Sequence, residues 1–279
     1  METLTPLSGA FIAFTVVSAI IAIVLPPVLA FVAGRRLGAS WRFVGYGALI
    51  FLVFQILTRI PLVQVLQLVL APHLAGSIGL QVAWVAALAL SAGVFEEVGR
   101  YVGYRWLFKP EQRTWDNAVM YGLGHGGIES ILLVGGAVVL SLIGLLTIQS
   151  SGLGVIPENL RPQVAAQFAA AAEAPAWLQL AGGWERIGAI TFHVAMSVVG
   201  LQVFRRGSLR WLGLAVLLHT LFNLTVLVRL LGLSQVTTIL IIEGLLTLMS
   251  LGMLWLIFRL REPGSHDMKQ AEGTSPVVV

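Results

Sequence analysis

Glu96, Glu97 and Arg100 fall within V-F-E-E-V-G-R-Y-V-G-Y (residues 94–104), a run otherwise apolar enough to lie in a membrane. A charged side chain at bilayer depth costs roughly 3 kcal/mol or more, so such residues face a protein interior or a wet cavity and are functional candidates. On a helix both carboxylates reach the guanidinium, one from three positions away and the other from four. One arginine neutralises one glutamate and leaves the other carboxylate without a counter-charge, which is the setting of a general acid or base. The plainer alternative is an ion pair that only lets a charged segment stay in the bilayer. Tyr101 and Tyr104 continue the same stretch.

Three histidines sit in three later apolar segments. His125 lies in Y-G-L-G-H-G-G-I-E-S with Glu129 one turn on. The glycines around it permit close helix packing, which explains the glycines but neither the imidazole nor the carboxylate. His219 and Asn223, one turn apart in H-T-L-F-N, are imidazole and amide groups suited to a developing oxyanion, although Asn also serves as interhelical glue. His193, in T-F-H-V-A, supplies the third imidazole. Glu185 and Arg186 read as a snorkelling ion pair near a helix end. Glu243 has no obvious partner, with Arg229 across the turn as a candidate.

Elimination narrows the chemistry. There is no Cys, which excludes disulfides, thiolate ligands and a cysteine nucleophile. The two aspartates, Asp116 and Asp267, cannot form a buried dyad. No H-E-x-x-H is present, and Ser130 and Ser197 lie outside any G-x-S-x-G elbow. Glutamate and histidine remain.

The elements that must position these groups are membrane helices. The chain is 57% hydrophobic and 11% charged, with a mean hydropathy of +0.90, far from a soluble domain. Spans of about 20 apolar residues are predicted at Leu7–Ala33, Phe43–Leu70, Ile78–Leu107, Ala118–Leu146, Trp184–Phe204, Leu212–Leu231 and Thr237–Phe258. The fold class is therefore an all-α, polytopic transmembrane bundle of about seven spans. Pro26 and Pro27 should kink the first span and Pro61 the second. The net charge of +4 is no nucleic-acid footprint, because the basic residues cluster at the ends of apolar segments. Arg35, Arg36 and Arg42, then Arg105, Lys109 and Arg113, then Arg205, Arg206 and Arg210, then Arg259, Arg261 and Lys269 all fall on one side. Arg59, Arg161, Arg186 and Arg229 fall on the other. The N-terminus is then outside and the C-terminus cytoplasmic, in a multi-pass protein of the plasma membrane. The loop Gln149–Gly183 is external, with a surface helix over Pro162–Ala174. No repeat or hydrophilic insertion divides the chain, so residues 1–261 form one transmembrane domain with a catalytic core over about 93–225, and 262–279 a polar, disordered tail. Counted from the cytoplasmic ends, Glu97, His125, His193 and His219 lie roughly 10–17 Å deep, which argues for one shared cavity.

Together E-E-V-G-R-Y, Y-G-L-G-H-G-G-I-E and H-T-L-F-N resemble the motifs of the CAAX-protease and bacteriocin-processing superfamily of intramembrane endopeptidases, in its YhfC-like branch. The resemblance covers roughly Gly93 to Thr225. It implies water-mediated peptide hydrolysis within the bilayer. Glu96 would be the general base, His125 its partner on the attacking water, and His219 with Asn223 the oxyanion stabilisers. Glu97 and Arg100 would hold the first carboxylate, while Tyr101, Glu129 and His193 would contact the substrate. The superfamily places three residues between the glutamate pair and arginine, whereas only Val98 and Gly99 intervene here, so either glutamate can be the one that faces the cavity. Enzymes of this type are also described as metalloproteases, and His125, His193, His219 and one glutamate make a zinc set. Metal-free and zinc-dependent hydrolysis both stand. The expected function is an intramembrane endopeptidase acting on a hydrophobic or lipid-modified, membrane-embedded peptide. A proton-coupled transporter or channel built from the same groups is the rival, and a non-catalytic scaffold the third reading.

Overall fold

The computed structural model describes residues 5–261, so the predicted tail at 262–279 lies outside the described residues. Seven long apolar helices carry the fold: α1 (Gly9–Leu37), α2 (Arg42–Leu74), α3 (Ile78–Trp106), α4 (Trp115–Ser151), α6 (Ala176–Arg205), α7 (Arg210–Leu231) and α8 (Gln235–Arg259), with a shorter α5 (Arg161–Glu173) between the fourth and fifth spans. No strand occurs among the described residues. In lipid every backbone group must be satisfied within the chain, and helices achieve this segment by segment.

The helix ends follow from local chemistry. The hydroxyls of Ser8, Thr114 and Ser234 accept the N–H of Phe11, Asn117 and Thr237, capping α1, α4 and α8. α1 ends at Gly38 and α7 at Gly232, with φ of 62° and 67°, a left-handed conformation that favours glycine. α1 stays helical through Pro26 and Pro27. In α2 the irregularity linked to Pro61 takes a definite form. Leu52–Arg59 is π-helical, and Ile60 N–H bonds to Gln55 O just ahead of the ring that has no N–H to give.

The bundle is organised about α6. Of its most apolar stretch 78% is buried, against 28% or less for the other six, so α6 is the central post and the others share their outer faces with lipid. Leu57, Leu68, Leu140 and Leu248 are among the exposed side chains on those outer faces. Close approach depends on small residues. A Cβ on Gly122 would lie 2.5 Å from Val194 Cα of α6, and one on Gly124 would lie 2.0 Å from Val44 O of α2, so α4 is pressed between two neighbours on nearly opposite faces. α5, expected as a surface helix, is docked rather than loose: Phe168 is buried with Leu7, Phe11 and Ile148.

Candidate active site

α3 delivers two adjacent carboxylates to two different environments, because neighbouring residues on a helix point about 100° apart. Glu97 turns to Arg100, whose Nε donates to Glu97 Oε2 at 3.0 Å and Nη2 to Oε1 at 3.4 Å. The same guanidinium donates through Nη1 to Ser197 Oγ at 2.7 Å and to His193 O at 3.4 Å, and its Nη2 lies 3.3 Å from His193 Nδ1. Arg100 is 0% exposed and Glu97 1%, so this is a fully internal ion pair that locks α3 to α6. Glu97 Oε1 is also 2.8 Å from His219 Nδ1 on α7. A carboxylate already paired with a guanidinium accepts there, so the imidazole donates from Nδ1 and turns Nε2 the other way. That nitrogen is 3.8 Å from Glu96 Oε1.

Glu96 faces the cavity. Its Oε2 is 3.0 Å from His125 Nε2 on α4. His193 on α6 stacks beside His125, ring centroids 5.0 Å apart, and its Nε2 is 2.6 Å from Glu129 Oε2. Gly126 makes this possible, since a Cβ there would lie 2.9 Å from that of His193. Tyr121 OH donates to Arg100 O at 3.2 Å and Tyr104 OH to Ser197 O at 2.8 Å, closing the polar layer one turn beyond.

The cavity beside these groups has a volume of about 420 Å³. Glu96, Glu129, His193, His219 and Asn223 line it. Along α3 its wall runs from Glu96 back to Val85, a length of about 16 Å at helical rise. The structure thus gathers Glu96, Glu97, Arg100, His125, Glu129, His193 and His219 into one cluster, with Asn223 on the adjoining wall. Tyr101 is not part of it. It stacks on Phe204 at 5.2 Å, because it lies five residues past Glu96 and hence about 140° round the helix from the cavity.

Two arginines assigned to the outer charge groups are wall residues. Arg186 is 6% exposed and donates to Glu129 Oε1 at 3.2 Å while also pairing with Glu185, so it does not snorkel. A carboxylate on each side satisfies it better inside the cavity than a reach to the headgroups would. Arg59, 9% exposed, donates to Leu88 O at 2.7 Å and Ser91 Oγ at 3.1 Å. The signal was in the sequence: the hydropathy span Phe43–Leu70 already encloses Arg59, about 16 Å from its far end. Glu243 lies with Glu185 along a second cleft between α6 and α8, and its Oε2 is buried without a hydrogen-bond partner.

The cluster also offers a metal a donor set. Glu96, His125 and His193 each present one ligand atom, all within 4.8 Å of one another, and all three residues are buried. His125 Nδ1 has no hydrogen-bond partner, so that ring has a nitrogen to spare. Imidazole nitrogen and carboxylate oxygen are ligands that zinc takes. Of the expected set of His125, His193, His219 and one glutamate, this group keeps His125, His193 and Glu96 and leaves out His219.

Residues 19–246 match the profile of the family described as YhfC intramembrane metalloprotease. The chain is 31% identical over 220 residues to the uncharacterized membrane protein YhfC of Bacillus subtilis, an alignment that covers 76% of this chain and 82% of that relative. No solved structure matches the chain.

Proposed function

The chain belongs to the YhfC intramembrane metalloprotease family, and on that footing we propose that it is a multi-pass membrane endopeptidase which hydrolyses a peptide bond of a hydrophobic or lipid-modified peptide at Glu96 and His125. The observation that carries this reading is the Glu96–His125 contact of 3.0 Å, in which Glu96 lines a cavity of about 420 Å³ and His125 is buried behind it, with a third and fourth helix contributing His193 and His219 to the wall. A carboxylate within hydrogen-bond reach of an imidazole beside a space for substrate is the geometry of general acid–base hydrolysis.

Glu96, His125 and His193 would hold a metal ion. When bound, such an ion supplies Lewis-acid polarisation of the carbonyl and makes water a better nucleophile. The chain's own groups do the rest. A carboxylate takes the proton from water as its oxygen bonds to the carbonyl carbon, and returns it to the amine nitrogen as the C–N bond breaks. Glu96 serves this role where it is free. Glu129, on the same wall and 2.6 Å from His193, is the second carboxylate placed for it where Glu96 is engaged as a ligand. The Asn223 amide, one turn from His219, donates to the oxygen that gains charge. Glu97 and Arg100 position His219 and do not touch substrate.

With the Arg clusters on the cytoplasmic side, the cavity extends from Glu96 towards the outer leaflet, and substrate reaches it from the membrane. The test is comparative proteomics of membrane peptides from cells carrying the native chain or Glu96→Gln, followed by cleavage of the accumulated peptides with purified protein. Equal peptide profiles, with no cleavage in either preparation, would remove the peptidase assignment.

A further inference from the structure

The charged groups on the cavity wall are not balanced evenly. Arg186 is bracketed by Glu129 and Glu185. Arg59 has two hydrogen bonds to neutral acceptors, and among the described residues no carboxylate forms an ion pair with it. Yet Arg59 is only 9% exposed, at membrane depth on the wall of the cavity. Gln55, one turn earlier, lines the same wall, and its Oε1 is buried with no hydrogen-bond partner. Both belong to the π-helical segment Leu52–Arg59. Such turns recur at functional sites, because they re-aim side chains that a regular helix would present elsewhere.

A guanidinium has five N–H donors in a planar fork that matches a carboxylate. Arg59 uses two donors on the protein, Nε and one on Nη2, and the rest remain for a ligand. The neighbouring Gln55 Oε1 is an acceptor. It would repel the surrounding oxygens of a phosphate, but it complements a peptide, which offers an N–H close to its carboxylate. We propose that Arg59 and Gln55 form a carboxylate-binding subsite of the cavity, selecting peptides that carry a carboxylate a few residues from the bond to be cut. The subsite rests on the reading of the cavity as a peptide site.

The spacing follows from α3. Arg59 is tied to Leu88 and Ser91, five to eight residues before Glu96, which places the guanidinium about 8–12 Å along the helix from Glu96. An extended peptide advances about 3.4 Å per residue, so about two to four residues separate the anchored carboxylate from the scissile bond. The carboxylate has two sources, a free C-terminus or an Asp or Glu side chain.

The test uses the full chain in phosphatidylcholine nanodiscs and a dansyl-labelled hexapeptide of Leu, Ala and Phe, read by fluorescence anisotropy. Three forms are compared: the free acid, the C-terminal amide, and the amide with Asp as its last residue. The native chain should bind at least one carboxylate form roughly ten-fold or more tighter than the plain amide, as expected for a charge-assisted pair. A gain for the free acid alone identifies the terminus as the source, and a gain for both identifies any carboxylate. The preference should vanish in Arg59→Gln, survive in part in Arg59→Lys, weaken in Gln55→Leu and persist in Glu96→Gln. Equal binding of all three forms, or a preference that survives Arg59→Gln in protein with a native melting profile, overturns the subsite. Tighter, Arg59-dependent binding of dihexanoyl phosphatidic acid also overturns it, in favour of a lipid. A carboxylate preference without any hydrolysis keeps the subsite and removes the peptidase reading.

Discussion

Removing Arg100 should cost more than removing Arg100 and Glu97 together. Arg100 donates to Glu97 twice, at 3.0 and 3.4 Å, to Ser197 Oγ at 2.7 Å and to His193 O at 3.4 Å, with no exposure to solvent. Arg100→Leu leaves a buried carboxylate with only the His219 contact, and breaking one side of a buried pair costs about 3–5 kcal/mol. Glu97→Leu leaves the guanidinium stranded at a similar cost of about 3–5 kcal/mol. In the double variant both charges are gone. What remains is the lost hydrogen bonding of His219 Nδ1 and Ser197, about 1 kcal/mol each. The single costs sum to about 6–10 kcal/mol and the double to about 1–3 kcal/mol, so the coupling is at least about 3 kcal/mol. The assay is unfolding in graded SDS followed by tryptophan fluorescence, since eight Trp report and the absence of Cys rules out thiol dyes. Single costs that simply add up in the double variant would show that Glu97 and Arg100 do not act as a pair. The double variant should also lose peptide cleavage while staying folded, because His219 no longer has a carboxylate to orient it.

Glu96→Gln should lower the rate of cleavage by roughly 10²–10⁴-fold with membrane insertion and melting unchanged, and a rate within ten-fold of native removes Glu96 from proton transfer. Stoichiometric zinc is expected by elemental analysis of protein purified without chelator, and it should fall in His125→Ala and His193→Ala; active material free of metal would exclude the three-residue donor set. Gly122→Val should destabilise the bundle by about 1–3 kcal/mol or more through overpacking, since even a Cβ would meet Val194 Cα at 2.5 Å. Tyr101→Phe should leave KM and kcat unchanged, because the ring stacks on Phe204 outside the cavity; a raised KM would place it on the substrate's path after all.

The seven spans and the family were legible from hydropathy and from three short motifs. Membrane helices announce themselves by length alone, and E-E-V-G-R-Y with G-H-G-G-I-E is specific in combination. Which glutamate turns to the cavity was not legible, because adjacent helical positions differ only in which neighbour they face. That was decided by α6 and α7, through Ser197 and His219, more than ninety residues away. Arg59 and Arg186 were misplaced for a related reason. Counting positive charges by loop treats an arginine near a span end as an anchor, but the direction of its side chain depends on partners such as Leu88 and Glu129 on other helices. Depth along the helix, applied to Arg59 as it was to the histidines, would have found that one; Arg186, about 3 Å inside the predicted span Trp184–Phe204, gave no such signal.

The burial of α6 bears on how the protein is made. Its most apolar window has the lowest mean hydropathy of the seven, 1.8, and the helix carries Glu185, Arg186, His193 and Gln202. Each charge at mid-depth opposes insertion by about 2.5–3.5 kcal/mol, so this segment gains little from lipid alone. Of the spans synthesised before it, α1, α3 and above all α4, with Glu129 and a glycine-lined face, supply favourable surroundings. The helix at the centre of the mature bundle is therefore one that depends on earlier helices to stay in the bilayer during biogenesis, and mutations on α4 should show first as α6 left outside the membrane.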